Sequence, residues 1–149
     1  MTASKPLPVI LLALITLPIG AQDSLKCSAK ELLGRIFPCQ GLSLTIRELN
    51  GYKVFDRERK FSGRARVILS IENKGSQFQQ YSPQELSFVG ADGLQVFPIF
   101  ERNLADDTMP MSFRVAPGAH FSVEYALTGR LTFPAKFFVG STLAAEISE

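Results

Sequence analysis

The amino-acid sequence predicts an all-β fold in which two antiparallel sheets pack face to face. In several segments after residue 41, apolar residues alternate with polar ones at the period of a half-buried strand. Turn-forming Gly, Pro, Asn and Asp separate these segments. No long amphipathic helical pattern and no repeat of roughly 20–50 residues occurs. Short strands of this kind bury their apolar sides by stacking as two sheets.

The composition restricts the classes of function. The 149 residues include 16 Lys and Arg, 14 Asp and Glu, one His and two Cys, with a formal charge of +2. This balance lacks the basic stripe of a nucleic-acid-binding protein, and an apolar fraction of 46% is too high for a disordered chain. One imidazole and two thiols leave little from which to build a metal centre or a nucleophile site. We therefore expect one domain that binds no nucleic acid and no cofactor.

Residues 1–21 have the pattern of a secretory signal peptide. Lys5 precedes the apolar run Leu7–Ile19, and Gly20 and Ala21 provide the small residues of a cleavage site. The run is shorter than the roughly 18–20 residues that cross a membrane as a helix. We expect cleavage after Ala21, a secreted or periplasmic protein, and contact with the membrane only transiently through the signal peptide.

Residues 22–40 precede the alternating pattern and contain both cysteines. Residues 28–31 (Ser-Ala-Lys-Glu) form a capping box, which predicts a short helical turn, and Gly34 is suited to end that turn in a left-handed conformation. A chain that then doubles back brings Cys27 and Cys39 within the roughly 7 Å between Cα atoms that a disulfide requires. Because export permits disulfides, we expect one bond between these cysteines. Two free or metal-binding thiols are the alternative.

Residues 41–149 form the predicted sandwich domain. Alternation is clearest at Ala65–Ile71 and Phe121–Leu127, so we expect these two strands to meet at the centre of the core. Asn50-Gly51 is a strong hairpin signal, and Pro98 marks an edge strand or a bulge. Further predicted strands begin near Leu42, Tyr52, Leu86, Leu94, Phe113 and Phe137, a solvated loop covers Asp56–Lys60, and a possible break falls at Gly140. The total is about seven or eight strands.

Four short motifs occur in a characteristic order along these strands: Asn73-Lys74-Gly75, Asp92-Gly93, Pro117-Gly118 and Leu131-Thr132-Phe133-Pro134. Over residues 42–147 the chain resembles the telokin-like, immunoglobulin-fold secreted domains of bacteria, of the mycobacterial immunoprotective extracellular protein type. The resemblance implies an exported, immunoglobulin-like β-sandwich without an assigned catalytic activity. It supplies no site residues, and residues 22–40 lie outside it.

Groups suited to catalysis are scarce. His120 is the sole imidazole, it follows the Pro117-Gly118 turn, and no activated nucleophile stands beside it, so we expect a solvent-facing residue. Asp106 and Asp107 are adjacent in a loop and need not converge as the two carboxylates of a glycosidase do. We expect no catalytic residue and no enzyme activity.

Met109, Met111 and His120 are ligands that Cu(I) prefers, and a periplasmic copper-binding protein is one alternative function. If residues 112–116 pair with 119–123 across the turn, Met111 and His120 are separated by about 13 Å along the strands. That separation disfavours a metal site. We therefore predict no bound metal.

Aromatic residues in loop-like positions indicate a binding role instead. Phe78, Tyr81 and Phe100 are the candidate partner contacts, with Phe61 as a further loop aromatic, although each is also suited to plug an end of the core. We expect a non-catalytic binding domain of the cell envelope or extracellular space, with a protein or envelope partner. A secreted protease inhibitor that presents the loop Glu101–Met111 is the second alternative. The sequence leaves the oligomeric state open.

Overall fold

The computed structural model describes residues 23–51, 65–99 and 112–149. Their elements are β1 Leu25–Ser28, α1 Ala29–Leu32, β2 Ile36–Cys39, β3 Leu42–Asn50, β4 Arg66–Glu72, β5 Gln79–Tyr81, a 3-10 turn Pro83–Glu85, β6 Leu86–Val89, β7 Gln95–Val96, β8 Pro98–Ile99, β9 Phe113–Val115, β10 His120–Leu127, β11 Ala135–Val139 and β12 Thr142–Ser148. The predicted signal peptide 1–21, the return strand from Tyr52 and the loop Asp56–Lys60 lie outside the described residues. Within the described ranges no helix is both long and apolar enough to cross a membrane.

Two five-stranded sheets form the sandwich. One has the strand order β1-β12-β11-β6-β7 and the other β2-β3-β4-β10-β8, while β5 and β9 form a separate two-stranded ribbon. All pairs are antiparallel except β1 with β12, which are parallel. The predicted antiparallel, immunoglobulin-like β-sandwich is confirmed. Its described part contains more strands than the sequence predicts, because residues 22–40 add two strands and the chain crosses between sheets in very short segments.

The core follows the predicted alternation. In β4, Val67, Leu69 and Ile71 are fully buried, while the residues between them are only partly buried. Their partners on β10 include Tyr125, which is opposite Val67 and is also fully buried. The two strands therefore meet at the centre, as neighbours in one sheet. The facing sheet contributes a cluster of aromatic residues: Phe137 stacks on Phe88 at 4.8 Å and meets Phe37 of the other sheet edge-on at 5.3 Å between ring centroids.

Residues 23–40 connect the two sheets at one side of the sandwich. They form α1 and the edge strands of both sheets, β1 and β2. The capping box is confirmed, because the Ser28 Oγ accepts the Glu31 N–H at 3.2 Å and a Glu31 carboxylate oxygen accepts the Ser28 N–H at 2.8 Å. Gly34 follows the helix with a φ of +79°, the left-handed conformation expected there.

At the opposite side of the sandwich, the chain crosses from one sheet to the other between β7 and β8. Gln95 and Val96 belong to one sheet, while Pro98 and Ile99 form the edge strand of the other. A proline has no N–H to donate, so an edge strand accommodates it without losing a hydrogen bond. The prediction that Pro98 marks an edge is confirmed. Gly140, with a φ of +59°, lies in the turn that separates β11 from β12, so the predicted break there is also confirmed.

The sequence-based pairing of 112–116 with 119–123 is wrong. β9 pairs with β5, and β10 pairs with β4 and β8. The Pro117-Gly118 turn does not close a hairpin, because the Gly118 N–H donates to the backbone oxygen of Asn73 at 2.8 Å and the Asn73 N–H donates to that of Ala119 at 2.9 Å. These bonds tie the turn to the end of β4 and direct β9 away from β10.

Candidate functional site

The ribbon formed by β5 and β9 rests on the core through one face. Tyr81 and Phe113 are cross-strand partners on that inner face, with ring centroids 6.3 Å apart. Both contact Phe121 of β10, at 5.9 Å and 5.4 Å between centroids. Three mutually packed rings fix the position of the ribbon on the sandwich.

A buried asparagine sets the register of the ribbon. The Asn73 Nδ2 donates to the backbone oxygens of Gln77 at 2.7 Å and Val115 at 2.9 Å, and its Oδ1 accepts the Gly75 N–H at 3.0 Å. Asn73 is fully buried, so its amide is costly to leave unpaired. One side chain therefore joins the chain entering β5 to the end of β9.

The outer face of the ribbon carries an aromatic ring and a guanidinium in contact. Gln80 and Arg114 are directly opposite each other across the two strands, and both are exposed. Phe78 is 55% exposed, and the Arg114 Cζ lies over its ring, 4.8 Å from the centroid. A cation–π contact at an exposed site contributes about 0.5–1 kcal/mol. We call Phe78, Gln80 and Arg114 the Phe78 surface.

The three predicted partner contacts have different positions. Phe78 is exposed, in the position that a partner contact requires. Tyr81 is fully buried in the core, which confirms the interpretation that it plugs the core and corrects its alternative role as a partner contact. Its hydroxyl group hydrogen-bonds to that of Tyr125 at 3.0 Å, and burial raises the pKa of Tyr125 to about 12 and that of Tyr81 well above its ordinary value. Phe100 lies outside the described residues, as does Phe61.

Of the three residues considered as Cu(I) ligands, His120 alone is among the described residues. Met109 and Met111 lie outside the described residues, and so do Asp106 and Asp107. His120 is exposed at the start of β10, opposite Glu72 of β4. In the described ranges, no group of three or more His, Cys, Asp or Glu side chains is arranged to hold a metal ion.

The predicted disulfide is not seen in the structure, in which Cys27 and Cys39 are both buried with free thiols. Cys27 lies on the edge strand of one sheet and Cys39 on the edge strand of the other, because the chain between them crosses the sandwich. Burial raises the pKa of each thiol, and the charge of Glu31 adds to the effect at Cys27 while that of Glu85 adds to it at Cys39. The two thiols therefore lie in different electrostatic surroundings.

A cleft of about 290 Å³ opens between the edge strands β1 and β2 and the β11–β12 hairpin. Its lining is mostly apolar: Leu25, Phe37, Pro38, Val139, Leu143 and Ala144, with Asp23 and Thr142 as the polar members. An enzyme site normally combines a pocket with several convergent polar groups and titratable residues of shifted pKa. The only ionisable side chain in this lining is Asp23, so the cleft does not have that arrangement.

The geometry defines an immunoglobulin-like β-sandwich with a rigid ribbon that presents an exposed aromatic–cation pair. No family model matches the chain, and no curated protein matches its sequence. Two solved structures share its fold. One is MPT63, a secreted protein from Mycobacterium tuberculosis, with a TM-score of 0.53 and 10% identity over 85% of this chain and 98% of that chain.

The other is the yjhA protein from Bacillus subtilis, with a TM-score of 0.50 and 13% identity over 81% of this chain and 84% of that chain. Identities this low show a common fold and nothing more. They confirm the expected fold relationship to a secreted bacterial sandwich. The sequence signal for the Phe78 surface was partial, because Phe78 stands out as a loop aromatic while its pairing with Arg114 depends on the register of two short strands.

Proposed function

We propose that this chain is an exported, non-catalytic binding domain of the cell envelope or extracellular space, and that a protein partner docks on the Phe78 surface. The observation that carries the proposal is an aromatic side chain, 55% exposed, stacked with an arginine on the outer face of the ribbon. Aromatic residues and arginine are enriched at the energetic centres of protein–protein interfaces.

The rigidity of the ribbon supports this role. Its inner face is fixed by the packing of Tyr81, Phe113 and Phe121, and its ends are joined by Asn73. A side chain presented on a rigid support loses little conformational entropy when a partner binds. Exposed apolar area on such a support is therefore efficient for binding.

Two further observations support export and a non-catalytic role. Residues 1–21 have the composition of a secretory signal peptide, and one of the proteins that shares the fold, MPT63, is described as secreted. The cleft between β1 and β2 has an apolar lining with a single ionisable group, which suits packing or an apolar contact better than acid–base chemistry.

The proposal is tested by capture from the native secretome with the protein that is produced when the whole sequence, including residues 1–21, is expressed. The variant Phe78→Ala is compared with Phe97→Ala, which truncates a phenylalanine that is 42% exposed at the β7–β8 side of the sandwich. We expect Phe78→Ala to weaken retention of the partner at least about tenfold and Phe97→Ala to leave it unchanged. Equal retention by the wild type and Phe78→Ala, or an equal loss in both variants, would refute the proposal.

A further inference from the structure

The Phe78 surface carries a positive charge that is not compensated within the described residues. Three exposed basic side chains have acidic partners: Lys26 with Glu146 at 3.9 Å, Lys74 with Glu72 at 3.7 Å, and Arg66 with Glu124. In the described part of the chain, no carboxylate lies within ion-pair distance of Arg114, and its recorded contact is with the Phe78 ring.

The contact with the ring leaves the hydrogen-bonding capacity of Arg114 unused. It joins the Cζ atom to the aromatic face, and among the described residues the N–H groups of the guanidinium donate no hydrogen bond to a carboxylate. A guanidinium has five N–H donors in a planar fork that matches the two oxygens of a carboxylate. Stacking on Phe78 also restricts the rotamers of a long side chain, so less entropy is lost when a carboxylate binds.

The neighbours of Arg114 define the rest of the ligand. Gln80, directly across the ribbon, offers an amide that can donate to or accept from a peptide group, and Phe78 offers an apolar surface. Lys74, which is in the turn after β4, pairs with Glu72. A single unpaired guanidinium matches the single charge of a carboxylate better than the double charge of a phosphate.

We infer that the partner segment that docks on the Phe78 surface is an acidic peptide, with a Glu or Asp carboxylate on Arg114 and an adjacent apolar side chain on Phe78. This inference rests on the proposed function and deepens it by naming the chemistry of the partner. The carboxylate sets the orientation of the peptide, while the apolar contact supplies most of the buried area.

The experiment is an NMR titration, with two tripeptides, of the protein that is produced when the whole sequence is expressed. The probe is acetyl-Glu-Leu-Glu-amide, and the matched probe is acetyl-Gln-Leu-Gln-amide, which has nearly the same shape without the charge. At millimolar concentration we expect the acidic probe to shift the Arg114 Nε–H signal and the backbone amides of β5 and β9, with at least about tenfold weaker binding of the neutral probe. Raising the salt concentration from about 0.05 M to about 0.5 M weakens binding of the acidic probe.

Three variants identify the guanidinium as the group responsible. Arg114→Gln removes the charge and is expected to weaken binding of the acidic probe at least about tenfold. Arg114→Lys keeps the charge and is expected to retain only part of the wild-type affinity for that probe. Arg47→Gln, which neutralises an exposed arginine on β3, is the matched control and changes binding less than about twofold. Both positions are exposed, and the amide spectrum of each variant shows whether the fold is retained.

The outcomes separate this inference from the proposed function. Equal shifts from both tripeptides, no shift from either, or unchanged binding by Arg114→Gln would overturn the acidic-peptide inference, even if Phe78→Ala abolishes capture of the native partner. The double variant Asp106→Asn, Asp107→Asn is measured without any probe. If its Arg114 Nε–H signal differs from that of the wild type, the guanidinium binds the chain's own carboxylates, and the acidic-peptide inference is overturned. Unchanged capture by Phe78→Ala removes the proposed function, whatever the tripeptides do.

Discussion

The two faces of the β5–β9 ribbon have opposite character, although both are formed by the six residues of these strands together with Phe78, which directly precedes β5. The inner face buries Tyr81 completely and packs Phe113 against Phe121, while the outer face leaves Phe78 more than half exposed beside Arg114. Hydrophobic burial explains the inner aromatic residues, since each removes a large apolar area from water. It does not explain the outer one. The comparison indicates that the inner face stabilises the fold and that the outer face is available for binding.

The largest expected difference between the two faces is in stability. Tyr81→Ala leaves a cavity among Phe113, Phe121 and Tyr125 and should lower the free energy of unfolding by about 3–5 kcal/mol. Urea denaturation followed by circular dichroism measures it. A loss below about 1 kcal/mol would mean that the inner face does not anchor the ribbon.

Alkaline pH should destabilise the protein through the same inner face. The pKa of Tyr125 is raised by burial from 10.0 to about 12, and burial also raises the pKa of Tyr81. Above a pH of about 10 the unfolded chain releases tyrosine protons that the folded chain retains, so the free energy of unfolding falls as pH rises. The raised pKa values of Cys27 and Cys39 start this fall near their ordinary value of 9.0.

The measurement is the urea midpoint between about pH 8 and pH 11. The variant Tyr125→Phe removes one of the two phenols and should make the decline shallower. A midpoint that stays constant across this range would contradict the buried state of both hydroxyls.

A smaller loss is expected where the ribbon is tied to the sandwich. Asn73→Ala removes three hydrogen bonds of a fully buried amide and should lower the free energy of unfolding by about 1–3 kcal/mol. Amide hydrogen exchange should rise first in β5 and β9, because the side chain joins the segments that lead into and out of the ribbon. Exchange that rises uniformly over both sheets would show that Asn73 has no special role at the ribbon.

The smallest effect on stability is expected at the outer face. Phe78→Ala loses the cation–π contact with Arg114 and little burial, so the free energy of unfolding should change by less than about 1 kcal/mol. The matched substitution is Phe97→Ala, at another exposed phenylalanine. If Phe78→Ala destabilises the fold as much as Tyr81→Ala does, Phe78 is a structural residue and the contrast between the faces disappears.

Alternation predicts the sheets well where a strand has one face buried: β4 carries the pattern over its full length, and β10 carries it from His120 to Tyr125 before the strand ends in three consecutive buried residues. A strand of two or three residues is too short to show the alternation of apolar and polar residues. The three-residue strand β5 contains Gln79 and Gln80 before Tyr81, so nothing in its composition separates a buried tyrosine from an exposed phenylalanine. Sequence reasoning treated Phe78 and Tyr81 alike, as loop-like aromatic residues suited either to plug the core or to contact a partner, and did not separate the exposed ring from the buried one.

The two other differences arise from topology. The spacing of Cys27 and Cys39 is compatible with a disulfide, but it carries no information about which sheet each strand joins, and the two strands join different sheets. Asn73 begins the turn motif Asn73-Lys74-Gly75, and the hydrogen bond that its Oδ1 accepts from the Gly75 N–H is typical of such a turn. The hydrogen bond from the Asn73 side-chain amide to the Val115 backbone oxygen spans 42 residues. That hydrogen bond fixes the register of the ribbon and the position of Arg114.

The most direct test of the central claim is to measure partner retention and unfolding midpoint on one preparation of Phe78→Ala. The account predicts that retention of the native partner falls at least about tenfold while the free energy of unfolding, obtained from the urea transition, stays within about 1 kcal/mol of the wild type. Retention equal to the wild type at an unchanged midpoint would contradict the assignment of the outer face to binding.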